Sequence, residues 1–98
     1  MLREFFLGII KIHILYHANL TPVFGMGLMR ELAHHGYKIG PGTLYPILHS
    51  LEADHLLYSY QENVNGKMRR YYRITNKGRK ALDEARDKVQ ELVREILQ

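Results

Sequence analysis

The sequence predicts an α+β fold that is mostly α, with three helices, one two-stranded hairpin and a closing helix, in that order, in a chain of 98 residues. Three observations carry this expectation. Apolar residues recur at helical spacing through the first half, and the period switches to strand-like alternation on both sides of Asn65-Gly66. Spacings of three and four then resume to the last residues. A hydrophobic content of 46% against 24% charged residues suits a folded chain with one modest core and excludes the composition of disordered segments.

The first helix is expected from about Arg3 to Ala18. Phe5, Phe6, Ile9, Ile10, Ile12, Leu15 and Tyr16 cover more than one helical stripe, so a small domain needs a partner subunit to cover the second face. Pro22 disfavours helix at Thr21 and marks a connector over residues 19–24. A second helix, about Gly25 to His35, buries Leu28, Met29 and Leu32, and Gly36 suits a left-handed cap, where glycine carries no steric penalty. The third helix starts at Pro41, whose missing amide is unpaired in a first turn in any case. Its stripe is Leu44, Ile47, Leu48, Leu51 and Leu56, which leaves Thr43, Tyr45, His49 and Ser50 off the buried side. Glycines 40 and 42 permit a tight start and let another surface approach the backbone, and a helix N-terminus favours a phosphate.

Asn65-Gly66 is a strong hairpin signal, because both central residues of the favoured turn take positive φ. Two-residue closure pairs Val64 with Lys67, Glu62 with Arg69, Tyr60 with Tyr71 and Leu57 with Ile74. The tip is then basic and the base apolar, the form of a wing anchored on a core. Thr75 is a candidate N-cap for the last helix, whose Leu82, Ala85, Val89, Leu92 and Ile96 form a short heptad seam suited to dimerisation. The element order is that of a winged helix-turn-helix with an appended dimerisation helix, dividing the chain into residues 1–74 and 75–98.

Charge is concentrated in the middle of the chain. Residues 38–80 hold eight Lys and Arg against three Asp and Glu, while the remainder is close to neutral or acidic. Such a segment is the footprint of an element facing a polyanion. With no cysteine there is no disulfide framework or thiolate site, as expected in a reducing cytoplasm. The apolar N-terminal run is interrupted by Lys11, His13 and His17 and is too short for a bilayer span, so no membrane role is expected. No nucleophile, base and orienting residue stand at a recognisable spacing, and an enzyme is not expected. His13 and His17 lie one helical turn apart and His34 and His35 are adjacent, but no acidic or thiolate residue joins either pair at a ligand spacing. The reading is therefore no metal and no cofactor.

"GTLYPILHSLE" at 42–52 and "RRYYRITNKGRKAL" at 69–82 resemble the two signature stretches of the PadR family of bacterial transcriptional regulators, and "LG" at 7–8 and "PVFG" at 22–25 extend the resemblance over nearly the whole chain. The first stretch corresponds to the family's recognition helix, the second to its wing strand running into the final helix. The family usually carries a glycine before its paired leucines, where this chain has His55, which bears on the turn into the wing. One C-terminal helix places the resemblance with the short branch of the family.

The resemblance implies a cytoplasmic homodimeric repressor that binds operator DNA and releases it when a small apolar or aromatic effector occupies a pocket at the dimer interface. Phe5, Phe6, Ile9 and Ile10 on the first helix and Val89, Leu92 and Val93 on the last would line that pocket. DNA contacts are expected from Lys38, Thr43, Tyr45, His49, Lys67, Arg69 and Arg70, with Tyr45 alternatively packed on the second helix and Arg69 partly neutralised by Glu62. Dimer contacts are expected from Phe5, Ile9, Leu82, Val89, Leu92 and Ile96. A winged helix used for protein contact without specific DNA binding is the alternative.

Overall fold

In the computed structural model, which describes residues 1–98, helices α1 (Leu2–Leu20), α2 (Gly25–His34) and α3 (Pro41–Ala53) precede an antiparallel hairpin of β1 (Leu57–Val64) and β2 (Lys67–Ile74), and α4 (Asn76–Ile96) follows. Ile14, Leu28, Leu32, Leu44, Leu48 and Leu57 are among the most completely buried side chains, so α1, α2, α3 and the base of the hairpin share one core. Tyr72, Ile74 and Leu82 close it from the side of β2 and α4. No helix is long and apolar enough to cross a membrane.

Local chemistry explains each boundary. Gly36 takes a φ of +89°, and the amides of Gly36 and Tyr37 bond back to the carbonyls of Ala33 and Leu32, which satisfies the end of α2. The end of α3 uses the same motif with a different residue. His55 sits at φ +61°, and the amides of His55 and Leu56 bond to the carbonyls of Glu52 and Leu51. The buried stripe of α3 therefore stops at Leu51, and Leu56, expected to continue it, lies beyond the helix end. His55 occupies a left-handed position that glycine fills without strain, which gives a physical reason for the glycine usual there in the resembling family.

The hairpin adopts the expected register, with Leu57 opposite Ile74, Tyr60 opposite Tyr71 and Val64 opposite Lys67. Asn65 at φ +53° and Gly66 at φ +84° form its turn, and the Asn63 side chain accepts a 2.9 Å hydrogen bond from the Gly66 amide. The connector between α1 and α2 also joins the sheet, because Val23 and Tyr72 exchange backbone hydrogen bonds of 3.0 and 2.7 Å. That pairing has no short-range signature.

α4 is docked over its first turns, as far as Leu82, and exposed beyond Ala85. The Thr75 hydroxyl accepts from the Gly78 amide at 2.9 Å and donates to the His55 carbonyl at 2.6 Å, while the Thr75 amide donates to the Leu56 carbonyl at 3.0 Å. Lys77 donates to the Asp54 carbonyl at 2.9 Å. After Leu82 no residue of α4 is buried, and every residue from Arg86 onward is exposed. Leu82, expected in the dimer seam, lies within the core of its own chain. Val89, Leu92 and Ile96 line an apolar stripe that stays about half exposed or more.

Candidate nucleic-acid interface

The exposed side of α3 carries Pro41, Gly42, Tyr45, Pro46, His49 and Ser50, positions separated by one helical turn or by neighbours within it. Tyr45 and His49 thus share the outward face, as expected. Thr43 is partly buried on the flank toward α1, where with Lys38 it borders a groove that also includes Arg3 and Phe6.

Tyr45 does both things its position allows. Its ring packs on the first residue of α2, so closely that a Cβ at Gly25 would overlap the hydroxyl and stand 2.8 Å from Cζ. It remains partly exposed, at 39%. From that position Tyr45 faces the wing across a cleft of about 510 Å³, lined on the wing side by Lys67, Met68, Arg69 and Arg70. Buried Tyr72 forms part of the lining; desolvation pushes its phenol above the ordinary value, partly offset by the neighbouring Arg70.

The three wing cations are held differently. Lys67 is exposed beside the turn. Arg69 lies opposite Glu62 in the register, yet its guanidinium sits 4.1 Å from the centre of the Phe24 ring and donates to the Tyr71 hydroxyl at 3.3 Å. Stacking on a ring keeps the planar cation partly desolvated and its direction set, and no ion pair with Glu62 forms. Arg70 donates to the Ser59 hydroxyl at 2.9 Å, and Ser59 donates to the Glu52 carboxylate at 2.7 Å. This relay ties the wing to the last turn of α3, so the two elements flanking the cleft are positioned together.

None of the ion pairs in the molecule involves α3 or the wing; they lie at the N-terminus, along α4 and among His17, His35 and Glu31. Lys67, Arg69 and Arg70 thus form no direct ion pair with a carboxylate, Arg70 reaching Glu52 only through the Ser59 hydroxyl, unlike the self-paired Arg86–Asp83 and Lys88–Glu91 of α4. Two further cations, Arg3 and Lys11, lie on the opposite flank of α3 and border a groove with Gly42, Thr43, Pro46 and Ser50. Both fall outside the basic segment of residues 38–80. Their spacing of eight, with Leu7 midway, is the signal that places them on one face of α1.

The model of the transcriptional regulator PadR-like family matches residues 14–84. A transcriptional regulator of Mycobacterium tuberculosis, Rv3488, is 52% identical over 96 residues, covering 98% of this chain and 90% of its own. Among solved structures, a PadR family transcriptional regulator from Eggerthella lenta superposes with a TM-score of 0.85 at 33% identity, covering 98% of this chain and 85% of that one. A PadR-like transcription factor from Bacteroides fragilis gives 0.84 at 27% identity, with coverage of 96% and 92%.

Proposed function

The chain belongs to the PadR-like family of transcriptional regulators, and from that premise we propose that it is a homodimeric, sequence-specific repressor in which residues 1–74 bind operator DNA and residues 75–98 dimerise. The observation that carries this reading is the cleft shared by Tyr45 of α3 and Lys67, Arg69 and Arg70 of the wing, with further cations, Arg3 and Lys11, on the other flank of α3 and no ion pair within α3 or the wing. In that reading α3 enters the major groove with Tyr45 and His49 toward the bases, Lys67 and Arg70 meet the phosphates, and Lys38 and Thr43 contact the backbone near the start of α3. Arg69 acts chiefly by holding the wing against Phe24 and contributes its charge to the cleft.

The half-exposed stripe of Val89, Leu92 and Ile96, together with half-exposed Phe5 and partly buried Ile9, supports a dimer built from α1 and α4 of two chains. Between these helices lies a cavity of about 450 Å³ whose lining includes Ile9, Ile12, Leu82 and Val89. Its size and character suit a small apolar or aromatic effector whose binding alters the spacing of the two recognition helices. The cytoplasm is the compartment in which such a regulator meets its operator.

Fluorescence anisotropy against DNA from upstream of its own gene, with scrambled competitor and three salt concentrations, tests the reading. Binding should be competitor-resistant and lose about 0.9 log units per log unit of salt for each phosphate neutralised. Lys67→Ala or Arg70→Ala should weaken all sequences alike and lower the slope by about 1. Weak, salt-independent binding would reject the DNA reading in favour of a protein partner.

A further inference from the structure

Two pairs of potential ligands, each one helical turn apart, face each other across the α1–α2 contact. His13 and His17 come from α1; Glu31, on α2, and His35, which caps it, form the other pair. One ring nitrogen from each of His13, His17 and His35 lies within 4.8 Å of the others. The Glu31 Oε1 is 3.9 Å from the Nε2 of both His17 and His35. We propose that His13, His17 and His35, with Glu31, form a binding site for a divalent transition-metal ion of the zinc class.

The dimensions fit such an ion. Donors of a tetrahedral zinc-class ion, each about 2.0–2.1 Å from the metal, stand about 3.4 Å apart, so the Glu31 separations of 3.9 Å from His17 and His35 need to close by about 0.5 Å and the histidine nitrogens, all within 4.8 Å of one another, by at most about 1.4 Å. Side-chain rotation of the imidazoles and of Glu31 supplies that movement, and His35, whose side chain is 45% exposed, leaves an entry path for the ion.

The hydrogen-bond inventory points the same way. No side-chain hydrogen bond involves any of the three imidazoles. The Nε2 of His17 is buried with no partner. The His13 and His35 rings stack with centroids 4.6 Å apart, and those of His13 and His17 at 6.4 Å. A structural histidine cluster would be expected to satisfy its nitrogens with carbonyls or hydroxyls; this one turns them toward one another and toward a carboxylate.

The donor set selects the ion. Three imidazole nitrogens and one carboxylate oxygen suit zinc and its neighbours, whereas calcium and magnesium require oxygen-rich shells and copper(I) prefers sulfur. The site shares His13, His17 and His35 with the wall of the α1–α4 cavity, so an occupied site would clamp α1 to the end of α2 beside the surface that carries α4. The proposal stands on these residues alone and does not depend on the DNA reading.

Calorimetric titration of untagged, chelator-stripped protein with zinc chloride tests it, with cobalt(II) absorption as a spectroscopic probe of the ligand set. The expected result is one ion per chain, a cobalt spectrum of a nitrogen and oxygen site, and a zinc-dependent rise in melting temperature. His35→Asn and Glu31→Gln change partly exposed groups and should each weaken binding by about tenfold or more, while His34→Asn, outside the cluster, should leave it unchanged. Metal-free melting curves identify any variant that has lost its fold, and the other variant then decides. Substoichiometric binding, or wild-type affinity in a folded His35→Asn or Glu31→Gln variant, would overturn the site.

Discussion

Replacing Gly78 by alanine probes the joint on which the orientation of α4 depends. Gly78 is buried in the first turn of α4, and a Cβ there would overlap the Leu56 carbonyl oxygen and stand 2.6 Å from the Ile74 Cγ1. Neither neighbour can give way freely. The Leu56 carbonyl is backbone and accepts the Thr75 amide at 3.0 Å, and Ile74 is buried in the core. Overpacking of this kind costs about 1–3 kcal/mol, and distortion of the Thr75 hydrogen bond adds about 1 kcal/mol. Alanine recovers up to about 1 kcal/mol of helix propensity. The net loss is about 2 kcal/mol, which at about 4–8 °C per kcal/mol for a domain of this size lowers the midpoint by about 8–16 °C. Far-UV circular dichroism melts at matched protein concentration, needed because the proposed dimer would couple to stability, read the effect. A midpoint equal to or above that of the parent protein would refute the close approach of α4 to the α3–β1 turn.

Other perturbations separate the parts of the molecule. His55→Gly removes a side chain from a left-handed position and should raise stability by about 0.5–1 kcal/mol after allowing for the freer unfolded chain, as a urea titration would show; a loss would mean the His55 side chain contributes more than its backbone costs. Gly25→Ala should leave the melting temperature within a few degrees, because the group displaced is the flexible end of Tyr45, yet weaken operator binding in the anisotropy assay; undiminished affinity would remove Tyr45 from the interface. Leu92→Asp should place an unpaired charge in the proposed α4 seam and yield monomers by sedimentation velocity, and an intact dimer would move the interface elsewhere.

Much of the fold was legible because its signals are local. The Asn65-Gly66 turn sets the register of the whole hairpin, since two residues at positive φ leave one closure compatible with the strand twist. Gly36, Pro41 and Thr75 mark helix boundaries through backbone chemistry that acts within four residues. The family signature at 42–52 and 69–82 falls on α3 and on the β2–α4 junction. The exposure of Tyr45 and His49 on one face follows from helical spacing.

What the sequence by itself determined, then, is what depends on neighbours along the chain: the elements, their caps and the hairpin register. Only the tertiary structure decided which partner each long side chain takes. Arg69 and Glu62 are cross-strand neighbours, but the aromatic face of Phe24, more than forty residues earlier, captures the guanidinium at 4.1 Å. Leu82 satisfies the heptad pattern and yet falls inside the core of its own chain, because α4 is still docked on α1 and β2 at that point. The convergence of His13, His17 and His35 beside Glu31 is of the same kind. Glu31 and His35 stand one turn apart at the end of α2, but only the packing of α2 on α1 turns two unremarkable i, i+4 pairs into one cluster. Spacing along a helix specifies a face; what that face meets is set by contacts between segments distant in the chain.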